Sequence, residues 1–230
     1  MEKISRTTYA FIDSQNLNLG IKNDVISGGG KRIYKGQQLD YRKFRHYLRE
    51  KYNVSRAYLF IGLVPTNNSL YTYLQQCGFT LVFKTISTYM NEHGDTVTKG
   101  NVDTDIVLWA TGKLMGEYDD AVFVSGDGDF LSLYEYLFEQ SKLKKIMVPN
   151  RARYSKLLNT YRDKLVFVAD IPQLLKPLDT QQVKPTKKTR SSDRITSLGQ
   201  PGHGDTLIVA KRMTKVNENN SGERLKNGKK

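Results

Sequence analysis

The sequence predicts an α/β protein, a three-layer α/β/α sandwich around a mostly parallel central sheet. Three observations predict it. Short, fully apolar runs recur as buried parallel strands require. Segments with helical spacing separate those runs. Near Pro177 the composition turns to Lys, Thr, Ser, Asn and Gly. A domain of residues 1–176 is therefore expected to give way to a basic tail of residues 177–230, too poor in large apolar groups to offset its ordering entropy and hence disordered. A chain of 230 residues suits one domain with a tail.

The elements follow in order. Residues 9–12, Tyr-Ala-Phe-Ile, form a first buried strand that ends at Asp13. Gly28-Gly29-Gly30 marks a loop. Residues 39–52 place Phe44, Tyr47 and Leu48 at helical spacing. Residues 57–61 are a second strand, and residues 68–76 a helix stopped by Gly78. A third strand over 80–86 leads to a hairpin turn at 91–95 that runs on to Lys99. Residues 102–115 are helical, 121–124 a fourth strand, 130–138 a helix, 145–148 a fifth strand and 165–168 a sixth. In open parallel sheets ligands bind beyond the carboxyl ends of the strands, so the residues just after each strand matter most.

Charge and composition narrow the function. The net charge is +13, with 24 basic and 18 acidic side chains before Pro177 and 12 and 5 from there on. Both parts are basic, which fits a polyanionic partner. No run approaches the 18–20 apolar residues, roughly, of a membrane span, and the N-terminus reads as a strand rather than a signal peptide. Cys77 is the one cysteine, and His46, His93 and His203 lie far apart, so neither a disulfide nor a zinc site is expected. The chain reads as soluble and cytoplasmic. Cys77, Trp109 and most of the 14 tyrosines are expected to pack rather than react or recognise. No apolar helix face is distinct enough to name a dimer interface, so a homodimer stays open.

Four acids draw attention. Asp13 follows the first strand, and Asp127 and Asp129 follow the fourth in Ser125-Gly126-Asp127-Gly128-Asp129-Phe130. Asp103 opens the third helix and lines up with Val107, Ala110 and Leu114 on what should be its core face. Asp105, about 200° away around the helix, should face outward. Each acid alone has a plain reading as a helix cap, a dipole partner or a turn residue. Together they should converge on one sheet edge. Carboxylates about 4 Å apart repel by about 4 kcal/mol at an effective dielectric near 20, so such a cluster calls for a cation or a raised pKa. Oxygen ligands without His or Cys suit Mg²⁺ or Mn²⁺, and a hard ion beside a basic surface suits phosphoester chemistry.

Three blocks carry a resemblance: Phe11-Ile12-Asp13-Ser14-Gln15-Asn16-Leu17, Lys99-Gly100-Asn101-Val102-Asp103 and Val124-Ser125-Gly126-Asp127-Gly128-Asp129-Phe130. In this order they resemble the LabA-like NYN proteins of the PIN-like nuclease superfamily, over roughly residues 8–170. The Ser-Gly-Asp-x-Asp-Phe block is the most specific, and Ser14-Gln15 departs from the commoner Gly-containing pair. The resemblance implies a PIN-like fold and a metal-dependent ribonuclease acting on single-stranded or structured RNA. Asp13, Asp103, Asp127 and Asp129 would hold Mg²⁺ or Mn²⁺, and Asn16 would orient Asp13 or contact phosphate. Lys99 would meet a substrate phosphate and Ser125 would support the site. Arg151 and Arg153, after the fifth strand, together with the tail run 184–194, would add RNA contacts.

Other enzyme classes fit less well. A haloacid-dehalogenase-like phosphatase needs a second Asp where Gln15 stands, and a Walker-type NTPase needs a Gly-rich Lys-Ser/Thr loop. A receiver domain needs a strand-end Asp in mid-chain and a late strand-end Lys. An EF-hand needs further ligands after Asp127 and Asp129. The competing non-enzyme reading is an RNA-binding or regulatory module on the same fold that cleaves nothing.

Overall fold

The structure, a computed structural model, describes residues 6–84, 87–90, 96–99 and 103–178. Six strands build the central sheet: β1 (Thr8–Asp13), β2 (Val54–Gly62), β3 (Thr80–Lys84), β4 (Asp120–Val124), β5 (Leu143–Val148) and β6 (Leu165–Phe167). They lie in the order β6-β5-β4-β1-β2-β3, and every neighbouring pair is parallel. The chain runs outward from β1 to β3, returns to the other side of β1 at β4, and runs outward again. The crevice where this direction reverses lies between the carboxyl ends of β1 and β4, the place where such sheets bind ligands.

Alternation along the strands makes two cores, because successive side chains point to opposite faces. Tyr9 and Phe11 of β1, Phe60 of β2 and Phe123 of β4 face one side. There they meet Ile106 and Ala110 from α4 (Asp103–Leu108) and the π-helical turn Trp109–Lys113, and Leu133 and Leu137 from α5 (Leu131–Glu139). Ala10, Ile12, Val122 and Val124 face the other side. They meet Leu17 and Ile21 of α1 (Ser14–Lys22), Phe44 and Leu48 of α2 (Tyr41–Tyr52), and Leu74 of α3 (Asn68–Gln76). Helices cover both faces, as the α/β/α sandwich requires. Cys77 is buried, and Trp109 packs edge-on against Phe60.

Several boundaries differ from the sequence-based expectation, each for a local reason. Leu39 belongs to a short strand, Gln37–Leu39, paired antiparallel with Leu175–Pro177. The helix starts two residues later because the Asp40 side chain accepts from the Lys43 N–H at 3.1 Å and caps it. Val107 is 37% exposed, whereas Ile106, Ala110 and Leu114 are buried. The π turn after Leu108 adds a residue to the turn and rotates the face, so the core stripe is 106-110-114 and not 103-107-110-114. The third strand is Thr80–Lys84. Residues 85–86 lie outside the described residues, as do the turn at 91–95 and the tail from 179 onward. The strands on either side of that turn, Ser87–Met90 and Thr96–Lys99, pair antiparallel and form a separate unit. Among the described residues no helix is long and apolar enough to cross a membrane.

Candidate functional site at the β1–β4 crevice

Asp13 is the last residue of β1 and the N-cap of α1. Parallel pairing sets Ile12 opposite Val124, so the residues after Val124 emerge beside Asp13. The buried Ser125 hydroxyl donates to Asp13 Oδ2 at 3.4 Å and accepts the Asp127 N–H at 3.2 Å. The Asn16 N–H donates to Asp13 Oδ1 at 3.0 Å. The Asn16 side chain turns the other way, its Oδ1 accepting the Gly126 N–H at 2.8 Å. Asp127 caps the short turn Gly128–Phe130 by accepting from the Asp129 N–H at 3.0 Å. The capping acid is therefore Asp127 and not Asp129.

Side chains have little room where this loop meets the segment after β5. A methyl group on Gly126 would stand 3.2 Å from Tyr154 Cβ, and one on Gly128 would collide with Ser155 Oγ and lie 2.9 Å from its Cβ. The Ser155 N–H donates to Gly126 O at 3.0 Å. The two loops are thus pressed together, which fixes the direction in which Asp127 and Asp129 leave the sheet.

The electrostatics separate the two ends of the sheet. At the amino end, burial alone would lift the Asp120 carboxyl. Arg6 at 2.8 Å and Lys144 at 3.1 Å nevertheless hold it below the usual carboxylate range. At the carboxyl end the partners of Asp13 are neutral donors. Burial, above all, pushes Asp13 up to about 6. The Asn16 N–H opposes this, the Asp103 charge adds to it, the Ser125 hydroxyl opposes it and the Asp127 charge adds again. Burial likewise raises Asp103, with the charges of Asp127 and Asp129 adding and Lys84 opposing. The four sequence-predicted acids therefore share one electrostatic neighbourhood. Asp105 is set apart from them, paired with Lys84 at 3.4 Å.

The expected basic residues fare differently. Lys99 ends the separate hairpin strand, and its side chain lies outside the described residues. Arg151 is exposed, with Nε and Nη2 both on Asp170 Oδ2 at 3.0 and 2.7 Å. Arg153 is exposed on the loop that packs against Gly126. Two contributors escaped sequence reasoning. Lys84 is the described cation that acts on Asp103, and its place near the end of the third strand was the available signal. The Tyr134 hydroxyl is fully buried and has no hydrogen-bond partner among the described residues. Burial, then the charges of Asp13 and Asp127, push its pKa up.

As they stand, no three His, Cys, Asp or Glu side chains among the described residues are close enough together to hold a metal ion. The fit to a cation rests on donor chemistry. All the acids offer oxygen, two of them are raised by burial and mutual repulsion, and an orphaned hydroxyl lies within reach of their charge. A hard divalent ion would relieve the burial and repulsion of the carboxylates.

Fold and site together define an α/β protein of PIN-like type with an acidic cluster at the switch point of a parallel sheet. The chain belongs to the NYN family, whose domain matches residues 7–168. Its fold is similar to that of a protein of unknown function from Vibrio parahaemolyticus, at a TM-score of 0.58 and 22% identity over 76% of this chain and 99% of that one. No curated protein matches the chain.

Proposed function

We propose that this protein is a metal-dependent ribonuclease, of the LabA-like kind, that hydrolyses RNA phosphodiester bonds at the β1–β4 crevice. The observation that carries the reading is that, across 117 positions of sequence, the charges of Asp103 and Asp127 act on Asp13 and those of Asp127 and Asp129 act on Asp103. In this reading the four acids hold Mg²⁺ or Mn²⁺. Such an ion, when bound, lowers the pKa of a water and offsets charge on the scissile phosphate. Asp13 is the pivot, with its two oxygens fixed by the Asn16 N–H and the Ser125 hydroxyl. Asn16 acts as a positioning residue, since its side chain ties the Asp127 loop to α1. Lys84 pairs with Asp105 and its charge opposes the rise of Asp103. Exposed Arg153 and the basic tail supply phosphate contacts, which should make binding salt-sensitive.

The deciding experiment is a cleavage assay on labelled single-stranded and structured RNA with Mg²⁺, with Mn²⁺ and with EDTA, using Asp127→Asn as control. Cleavage should require the metal and vanish in the variant. Metal-independent cleavage, or equal cleavage by Asp127→Asn, would refute the chemistry. A second reading, an RNA-binding module that does not cut, is favoured by the absence of three assembled ligands among the described residues. RNA binding without cleavage under either metal would establish it.

A further inference from the structure

A pocket of about 690 Å³ opens beside β6, the edge strand of the sheet, bordered by Tyr47, Arg151, Tyr154, Asn159, Arg162 and Phe167. The chemistry assigned to the acidic edge leaves it unused. Its floor is a stack. The Arg151 guanidinium lies over the Phe167 ring at 4.0 Å from the centroid, and Tyr154 meets the same ring edge-on at 5.4 Å. Arg151 cannot swing freely, because two of its nitrogens bond one oxygen of Asp170. One planar face of the guanidinium is spent on Phe167, and with the side chain 66% exposed the other is open to a ligand. Polar groups surround it. Asp170 keeps Oδ1 as an acceptor. Asn159 takes the Tyr154 hydroxyl on Oδ1 at 2.7 Å, which leaves its amide N–H₂ to donate. Arg162 is exposed.

A flat cationic plane backed by an aromatic ring, with donors and acceptors around its rim, matches the face and edge of an unstacked nucleobase. The pocket also adjoins the acidic edge. Tyr154 packs against Gly126, and its neighbour Ser155 bonds the Gly126 carbonyl, one residue from Asp127. We propose that the pocket receives one base of single-stranded RNA, stacked on the Arg151–Phe167 pair, while the adjoining phosphate lies at the acidic edge. This rests on the ribonuclease reading for the identity of the strand, but not on cleavage. It gives the RNA contact expected of Arg151 a definite form, a base stacked on its guanidinium.

The test is fluorescence anisotropy of the full chain in EDTA with labelled single-stranded RNA carrying one abasic ribose at each position in turn. At one position, loss of the base should weaken binding by roughly 5- to 100-fold, the range of a stacked base. Arg151→Lys keeps the charge but not the plane. It should flatten the profile with the salt slope unchanged, and Phe167→Leu should flatten it too. A uniform profile in the parent protein overturns the proposal, and so does a profile that survives both substitutions. Adding Mn²⁺ to the same oligonucleotides separates the two readings. Cleavage with a uniform profile overturns the pocket alone. A position-specific loss without cleavage upholds the pocket and overturns the hydrolase. No binding to any oligonucleotide overturns both.

Discussion

The side-chain oxygen of Asn16 accepts the amide proton of Gly126 at 2.8 Å across 110 residues of sequence. The same residue donates its own N–H to Asp13 at 3.0 Å. Asn16 therefore couples the acid at the end of β1 to the loop that carries the acids after β4.

Asn16→Ala leaves the Gly126 N–H without its partner while Asp13 keeps its cap. A stranded, partly buried donor costs about 1–3 kcal/mol, which for a domain of this size lowers Tm by roughly 2–4 °C per kcal/mol. Thermal denaturation should show that loss, and RNA cleavage should fall with KM little changed. An unaltered Tm would show that the clamp contributes nothing.

Asp13 gives a pH signature in metal-free protein. Its folded pKa, about 6, lies above the ordinary value of 3.8, so the folded state binds the extra proton between those limits. By linkage its penalty is absent below about pH 4, grows as pH rises to about 6, and is constant above. The Asp13→Asn protein should therefore be more stable than the parent at pH 7, by as much as about 3 kcal/mol. The gap should close on acidification. Urea titrations at pH 4.5 and 7 decide it, and a gap independent of pH rules out the buried carboxylate as its source.

Tyr134→Phe removes a hydroxyl that is buried without a partner among the described residues. Its ring contacts with Phe123 and Phe130 should survive. Stability should rise by about 1 kcal/mol, since removing an unsatisfied polar group recovers its desolvation cost. A loss of stability in denaturant titration would show that the hydroxyl is satisfied in solution.

The legible part of the fold was set by local signals. Residues 68–76 match α3 end for end because Gly78, at φ +92°, stops it where sequence says it should. The central strands β1 and β4 were legible because their apolar runs are buried on both faces. What escaped depends on partners distant in sequence or on departures from ideal geometry. Val107 was misassigned because a π turn breaks the 3.6-residue period. Leu39 was assigned to the helix because its strand partner, Leu175, lies 136 positions away. That Asp13 and the Asp127 loop follow neighbouring strands was legible from the strand ends, whereas the Asn16–Gly126 clamp and the capture of Arg151 by Asp170 needed coordinates.

Gly128→Ala tests the contact between the two loops. The added methyl group collides with Ser155, so the substitution should cost about 1–3 kcal/mol, as overpacking does. Ser155→Gly removes the obstructing atoms, so the double variant should recover most of the loss relative to Ser155→Gly alone. A calorimetric double-mutant cycle reads the coupling. Simple additivity would place the strain elsewhere.

Manganese supplies the last check. Millimolar Mn²⁺ should raise the Tm of the parent protein, by roughly 5–10 °C near a hundredfold excess over Kd, and Asp13→Asn should blunt the rise. An unchanged melting curve speaks against a metal centre.

The order of strands has a consequence for synthesis. β1 is made before the other strands of the sheet, and its neighbour β4 only after more than a hundred further residues. No nascent fragment short of that point can bring the Ser125–Asp127 loop to Asp13, so a half-made copy holds only one wall of the crevice. The crevice is therefore a late product of synthesis, complete only once β4 has taken its place beside β1.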